Sequence, residues 1–181
     1  MIRFVFVFFL LPLSLLSQKT TEVYIQNWKK ECVEQMEKHG IPASITMAQG
    51  ILESASGTSD LATKANNHFG IKCHNEWTGD KFFKDDDKKD ECFRVYKNAQ
   101  ASFEDHSIFL KKTRYATLFD LAITDYKGWA NGLKQCGYAT NPKYPQLLIE
   151  LIERYRLYEL DETKKVVSES DDLKKKRVDQ S

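Results

Sequence analysis

Within AQGILESASG, residues 48–57, Glu53 is the one carboxylate among alanine, glycine, isoleucine, leucine and small hydroxyls. Read as a helix, the segment puts Gln49 one turn before Glu53 and Ser56 less than one turn after it. Ile45, Ala48 and Leu52 make the inward stripe, which leaves Glu53 at its margin. The small residues Gly50, Ser54, Ala55, Ser56 and Gly57 leave room above the acid for something bulky. The negative end of the helix dipole and the apolar neighbours both favour the protonated carboxyl. That is the state a general acid needs near neutral pH. On helix grammar alone, a surface glutamate on a helix rim is the commoner outcome.

A second acidic feature is the run KDDDKKDE, residues 84–91. Charges at a hairpin tip are as a rule simply solvated, and a calcium loop fails for want of its glycine and its distant glutamate. The functional reading sets one of these carboxylates opposite Glu53 across a cleft. A glycosidase needs such a pair, or one acid plus help from the substrate. Nucleophile readings are weaker. Cys73 beside His74, with His106 later, could suggest a cysteine peptidase, but a catalytic cysteine wants a helix N-terminus or an adjacent cation, and Cys73 reads as part of a strand. Ser102 and His106 fall one turn apart on one helix, where a capping role explains Ser102 better. Tyr138 and Tyr144 lie in GYATNPKY, a turn-rich loop without helical period, where tyrosines either pack or offer flat faces to sugar rings. No Cys/His spacing suits a metal ion.

Several elements must position these groups. Residues 22–39 read as an amphipathic helix with Ile25, Trp28, Cys32 and Met36 on one stripe, ended by Gly40 and Pro42. Pro42 suits the first turn of a second helix running to about Ser54, and Ser59 caps a short helix to Ala65. Between Asn66 and Tyr96, aromatic and β-branched residues surround turn-prone clusters, the pattern of a hairpin with its turn near Asp85–Lys89. Ser102 with Asp105 resembles a capping box for the next helix. Further helices fit 114–120, 125–135 and 144–158, the last with Leu147, Leu148, Leu151, Ile152 and Tyr155 inward. Helices, a β-insert, then more helices make an α+β domain: a helical body with a small β-lobe.

The chain opens MIRFVFVFFLLPLSLLSQ, a positive charge before an apolar run, which reads as a signal peptide over 1–17 with cleavage after Ser17. The expectation is therefore a secreted protein, periplasmic or extracellular, with no stable membrane anchor. Without Arg3, the 27 basic residues become 26, against 26 acidic ones. That balance argues against a nucleic-acid partner, which wants a basic face. Residues 18–160 suffice for one domain, and 161–181 hold almost no apolar content, as in a solvated or disordered tail. Four cysteines in an exported chain point to disulfides, with four buried free thiols as the alternative. Cys73 and Cys92 bracket the hairpin and are expected to staple it, leaving Cys32 and Cys136 as the second pair.

The series SITMAQGILESASGTSDLA, NNHFGIKC, WTG, FRVYKNAQASFEDH, RYATLF and GYATNPKY resembles the bacterial glucosaminidase domain of glycoside hydrolase family 73. That family includes flagellar-type and autolysin-type peptidoglycan hydrolases. The resemblance spans roughly residues 27–158, with the motifs in the expected order. It implies a lysozyme-like α+β fold with a cleft, and cleavage of the β-1,4 linkage after N-acetylglucosamine in peptidoglycan. It places the general acid on Glu53, against the reading from helix grammar, and the loop tyrosine on Tyr138 or Tyr144. Gln49, Asn67, Phe69 and Gly70 become expected substrate contacts beside Tyr144. Many members carry a second glutamate in the β-lobe before the FRVY strand. Here aspartates stand at that place: Asp86 matches best, Asp85 next, with Glu91 on the return strand. A one-residue slip would turn the side chain to the other sheet face. The reading is a cofactor-independent, monomeric hydrolase. Its rivals are an N-acetylmuramidase of the same fold and a non-catalytic wall-binding module.

Overall fold

The computed structural model describes residues 13–86 and 88–162. The architecture is the expected α+β one, a helical body with a two-stranded lobe. Helix α1 spans Leu13–His39, longer than the expected 22–39. It buries Tyr24, Cys32 and Met36, with Ile25 and Trp28 packed at the edge of the core. Gly40, in the left-handed region at φ 75°, ends it and returns its N–H to the Met36 carbonyl. The expected cleavage point after Ser17 falls within α1, and residues 1–12 of the expected signal segment lie outside the described residues.

Helix α2, Ala43–Glu53, is the centre of the body. Every residue from Ala43 to Ile51 is buried, because α1, α5 (Tyr126–Gln135), α6 (Tyr144–Arg154) and the final 3-10 helix (Leu157–Glu162) all pack around it. A helix so enclosed must be apolar on all sides, which is why its sequence shows small and aliphatic residues without a polar face. Its first turn has no side-chain cap of its own. Asp161 supplies one from the far end of the chain, accepting from Ser44 N–H at 2.8 Å and Ser44 Oγ at 2.5 Å. Asp161 is buried, so the expected boundary at 160 is corrected: the domain includes Asp161. Residues 163–181 of the expected tail lie outside the described residues.

Just past Glu53, the chain leaves α2 through Ala55, Ser56 and Gly57, all three at positive φ. Alanine and serine pay for that conformation. Ser54 holds it, its Oγ donating to the Gly50 carbonyl and accepting from Gly57 N–H. Ser56 Oγ also meets Thr21 Oγ1 of α1 at 2.8 Å. Helix α3, Asp60–Ala65, is capped by Ser59 as expected, whose Oγ accepts from Ala62 N–H.

The lobe is β1, Lys81–Lys84, antiparallel to β2, Glu91–Arg94, with Phe82 opposite Phe93 and Phe83 opposite Cys92. Residues 71–73 run along the other side of β2, with Cys73 N–H on the Cys92 carbonyl and Arg94 N–H on that of Ile71. The expected Cys73–Cys92 disulfide is present, its Cα atoms 5.4 Å apart. The expected Cys32–Cys136 bond is not: both are free thiols, Cys32 in the core on α1 and Cys136 half-buried at the end of α5. A side cluster of Leu61, Ala65 and Phe93 fixes α3 to the sheet.

Helix α4, Ala99–Leu110, is capped by Asn98 rather than by Ser102. Ser102 lies inside the helix, buried, and accepts from His68 N–H. Asp105 closes no capping box either. It takes both Nη1 contacts of Arg94, at 2.9 and 3.1 Å, and the Tyr96 hydroxyl, tying the lobe to the body. The expected 114–120 helix is a 3-10 helix over Thr113–Asp120, and α5 is capped by Asp125. Helix α6 buries Tyr144, Leu148 and Ile152. Truncating Leu148 to alanine would cost about 2–5 kcal/mol. Among the described residues no helix is long and apolar enough to cross a membrane.

Candidate active site

Body and lobe enclose a cleft of about 640 Å³. The end of α2 brings Leu52 and Glu53 to it; Phe69–Lys72 and the hairpin's Lys84, Asp86 and Phe93 form one wall. Arg114, Gly137–Asn141 and Tyr144 form the other. Glu53 thus sits where the helix emerges from the core into the cleft, half-buried. Burial raises its pKa to about 6; a hydrogen bond from Tyr144 works against that, and the Asp86 charge adds to it. A carboxyl poised there holds its proton in mildly acidic solution and can still release it.

Tyr144 reaches Glu53 from the first turn of α6, its hydroxyl donating to Oε1 at 3.1 Å. The Tyr144 hydroxyl oxygen in turn accepts from Gln49 Nε2 at 2.9 Å. Burial, then the Glu53 charge, push the Tyr144 hydroxyl pKa up, so it keeps its proton. Gln49 is wholly buried, with its Oε1 3.1 Å from His106 Nε2. Its expected role as a substrate contact is therefore corrected: it stands behind Tyr144, not in the cleft. Asn67 is corrected likewise. It is buried and spends Oδ1 on Ile71 N–H and Nδ2 on the Ile71 and Arg94 carbonyls, pinning the lobe.

The other expected residues divide cleanly. Phe69 and Gly70 line the cleft. Phe69 stacks on His106 at 3.9 Å between centroids, and Gly70, at φ 61°, has open space where a Cβ would stand. Tyr138 lines the cleft as well, stacked on Tyr144 at 5.7 Å with its hydroxyl pKa raised by burial. Asp86 lines it from the hairpin, 3.3 Å from Lys72 Nζ. Asp85 does not; its carboxylate accepts from Asp90 N–H and closes the turn. Glu91 is drawn to Lys72 at 2.8 Å. The nucleophile alternatives fall away, since Cys73 is in a disulfide and Ser102 is buried in α4.

Sequence reasoning missed Lys72, Arg114 and the supporting place of His106. Lys72 and Arg114 stand in the NNHFGIKC and RYATLF motifs, but nothing in either motif shows that the cation faces the cleft. His106 stands in the FEDH motif, and only its buried setting separates a support from a base. Among the described residues no group of three or more His, Cys, Asp or Glu side chains is arranged to hold a metal ion.

Known proteins resemble this chain in sequence and in fold. Residues 29–157 match the family model Glucosaminidase, described as mannosyl-glycoprotein endo-beta-N-acetylglucosaminidase. The chain is 33% identical over 155 residues to the exo-glucosaminidase LytG of Bacillus subtilis, covering 78% of this chain and 54% of that protein. It is 29% identical over 145 residues to the peptidoglycan hydrolase FlgJ of Vibrio parahaemolyticus, covering 74% and 47%. It therefore spans about half the length of these relatives. Among solved structures, a Staphylococcus aureus N-acetylmuramoyl-L-alanine amidase superposes with TM-score 0.67 at 31% identity, over 79% of this chain and 44% of that one. The catalytic domain of the Listeria monocytogenes autolysin Auto gives 0.64 at 25%, over 78% and 87%. The expected lysozyme-like α+β fold is borne out, and the chain belongs to the glucosaminidase family of glycoside hydrolases.

Proposed function

We propose that this chain is a secreted peptidoglycan hydrolase, an endo-β-N-acetylglucosaminidase cutting the β-1,4 linkage after N-acetylglucosamine. The observation that carries the reading is Glu53, raised to about 6, opening into a cleft that Asp86 also lines. Glu53 protonates the glycosidic oxygen as the bond to the anomeric carbon breaks. Water then attacks that carbon while Asp86 takes its proton, with inversion. Alternatively the substrate's own 2-acetamido oxygen attacks, giving retention once water opens the ring it forms. Tyr138 offers aromatic surface to the sugars, the buried Phe69 ring backs the cleft wall by packing on His106, and the open face of Gly70 lets a sugar ring approach the backbone.

Export rests on the apolar amino-terminal run, and the protein acts as a monomer without cofactor. Amino-terminal sequencing of the protein recovered outside the cytoplasm tests the export. A cell-wall zymogram tests hydrolysis, and a blank lane would favour the wall-binding module. Mass analysis of borohydride-reduced products then assigns the bond. Reduced glucosamine ends support this reading and reduced muramic ends the N-acetylmuramidase. Long early fragments, rather than released single units, mark endo action.

A further inference from the structure

The acid of the site is connected to the interior by a chain of three hydrogen bonds. His106 Nε2 lies 3.1 Å from Gln49 Oε1, Gln49 Nε2 donates to Tyr144 Oη at 2.9 Å, and Tyr144 Oη donates to Glu53 Oε1 at 3.1 Å. Gln49 and His106 are fully buried, on α2 and α4 respectively. We propose that Gln49 and His106 are positioning residues for Glu53: with Tyr144 they form a one-way hydrogen-bond chain that dedicates Oε1 to the tyrosine and leaves Oε2 to carry the transferable proton. This rests on Glu53 being the general acid.

The direction of the chain follows from its two ends. Gln49 has one acceptor and one donor end, so whichever faces His106 decides what the other offers Tyr144. In the observed sense, His106 donates from Nε2 and its Nδ1 is a bare lone pair. That Nδ1 is buried and has no hydrogen-bond partner. Reversing the glutamine would require Nε2 to accept and Nδ1 to carry the hydrogen, leaving an orphaned N–H in the core. Orphaned buried donors are rarer than under-used acceptors. The reversed amide would also capture the Tyr144 proton and turn the tyrosine away from Glu53 as a donor. Burial holds His106 neutral, its pKa lowered to about 3, so the donor end does not switch over the working range. Phe69 stacked on the ring at 3.9 Å holds its plane.

In this arrangement the Tyr144 proton meets Oε1 in both states of the acid and strengthens as Glu53 loses its own proton, so the chain favours the ionised product of the transfer. The other titratable groups facing Glu53 come from around the cleft: Asp86, Lys72, Lys84 and His74 on the lobe side, and Arg114, Tyr115 and Tyr138 on the opposite wall. Among the described residues none of these is hydrogen-bonded or ion-paired to Gln49 or His106, so the polar path from the two buried residues to Glu53 runs through Tyr144.

The test is a carboxyl-carbon NMR titration of Glu53, assigned by its loss in Glu53→Gln, read beside the pH profile of kcat. Gln49→Met, His106→Leu and Tyr144→Phe should each raise the Glu53 pKa by about half a unit or more, a roughly threefold weaker acid. The alkaline limb of kcat should move up by the same amount, with KM changed less than twofold. His106→Gln, which can still donate to Gln49, should restore both. A Glu53 titration unmoved in Gln49→Met overturns the proposal, whatever Tyr144→Phe does and even if His106→Leu does not fold. The titration needs no turnover, so a blank zymogram would defeat the functional reading while leaving this test standing.

Discussion

Lys72 stands 3.3 Å from Asp86 and 2.8 Å from Glu91, so one ammonium ties two hairpin carboxylates together. Lys72 is itself fixed by its bridge to Phe93 on β2. Among the described hairpin acids, Asp86 is the one that also lines the cleft with Glu53. The cation orients it without removing it from the site, since about half of the Asp86 side chain stays exposed, at 51%.

Asp86→Asn should therefore lower kcat by about 100-fold if Asp86 activates water, the lower end of general base catalysis. Asp85→Asn should loosen the turn and leave the rate within a few-fold of wild type, and Glu91→Gln likewise. Steady-state rates on purified glycan check all three. A mild Asp86→Asn beside an inactive Glu53→Gln would move the mechanism to attack by the acetamido group.

Glu53→Gln keeps shape and removes the transferable proton, so it should cost at least ~100-fold in rate with substrate binding preserved. In the wild type, activity should fall as the pH rises through about 6, where Glu53 ionises. The same substitution should also stabilise the fold. A carboxyl raised from 4.5 to about 6 contributes stability that is complete below pH 4.5 and lost as the pH rises past 6. At pH 8 Glu53→Gln should gain up to about 2 kcal/mol over wild type, and at pH 4 nothing. Denaturant melts at the two values read the difference.

Asp161 should show the same sign at the other end of α2. Burial outweighs its bonds from Ser44 and raises its pKa from 3.8 to about 6. Its contribution is present below about pH 4 and lost as the pH rises through 6, so Asp161→Asn should gain on wild type across that window. Truncation after Leu160 is different, because it strands the Ser44 N–H; it should cost about 1–3 kcal/mol at any pH. Truncation after Glu162 should cost little. Melting curves of the two truncations separate the cap from the segment beyond it.

Non-reducing peptide mapping should recover Cys73 joined to Cys92, with Cys32 and Cys136 unpaired. The bond spans a sequence separation of 19, so replacing both cysteines by serine should cost about 3 kcal/mol on chain-entropy grounds. Alkylation of the native protein should reach half-buried Cys136 well before Cys32. A Cys32–Cys136 peptide would contradict the structure.

Local signals in the sequence determined the helices, the hairpin and the place of Glu53. Pro42, Ser59 and the apolar stripes act within one or two turns of where they stand, so they can be read without the fold. The Cys73–Cys92 staple was equally legible, because both cysteines flank one hairpin. The family motifs brought out the candidate acid, which helix grammar alone left on a rim. What each polar side chain does was decided by contacts across the chain. Gln49 and Tyr144 are 95 residues apart, and Ser44 and Asp161 are 117 apart. No periodicity links such pairs; only packing around α2 brings them together. That is why Gln49 and Asn67 read as ligand contacts yet are buried supports, and why Asp161 read as tail yet caps the central helix. The choice of Asp86 over Asp85 is of the same kind. In a turn, one residue of displacement decides whether a carboxylate faces the cleft or its own backbone, and the tertiary structure sets that displacement.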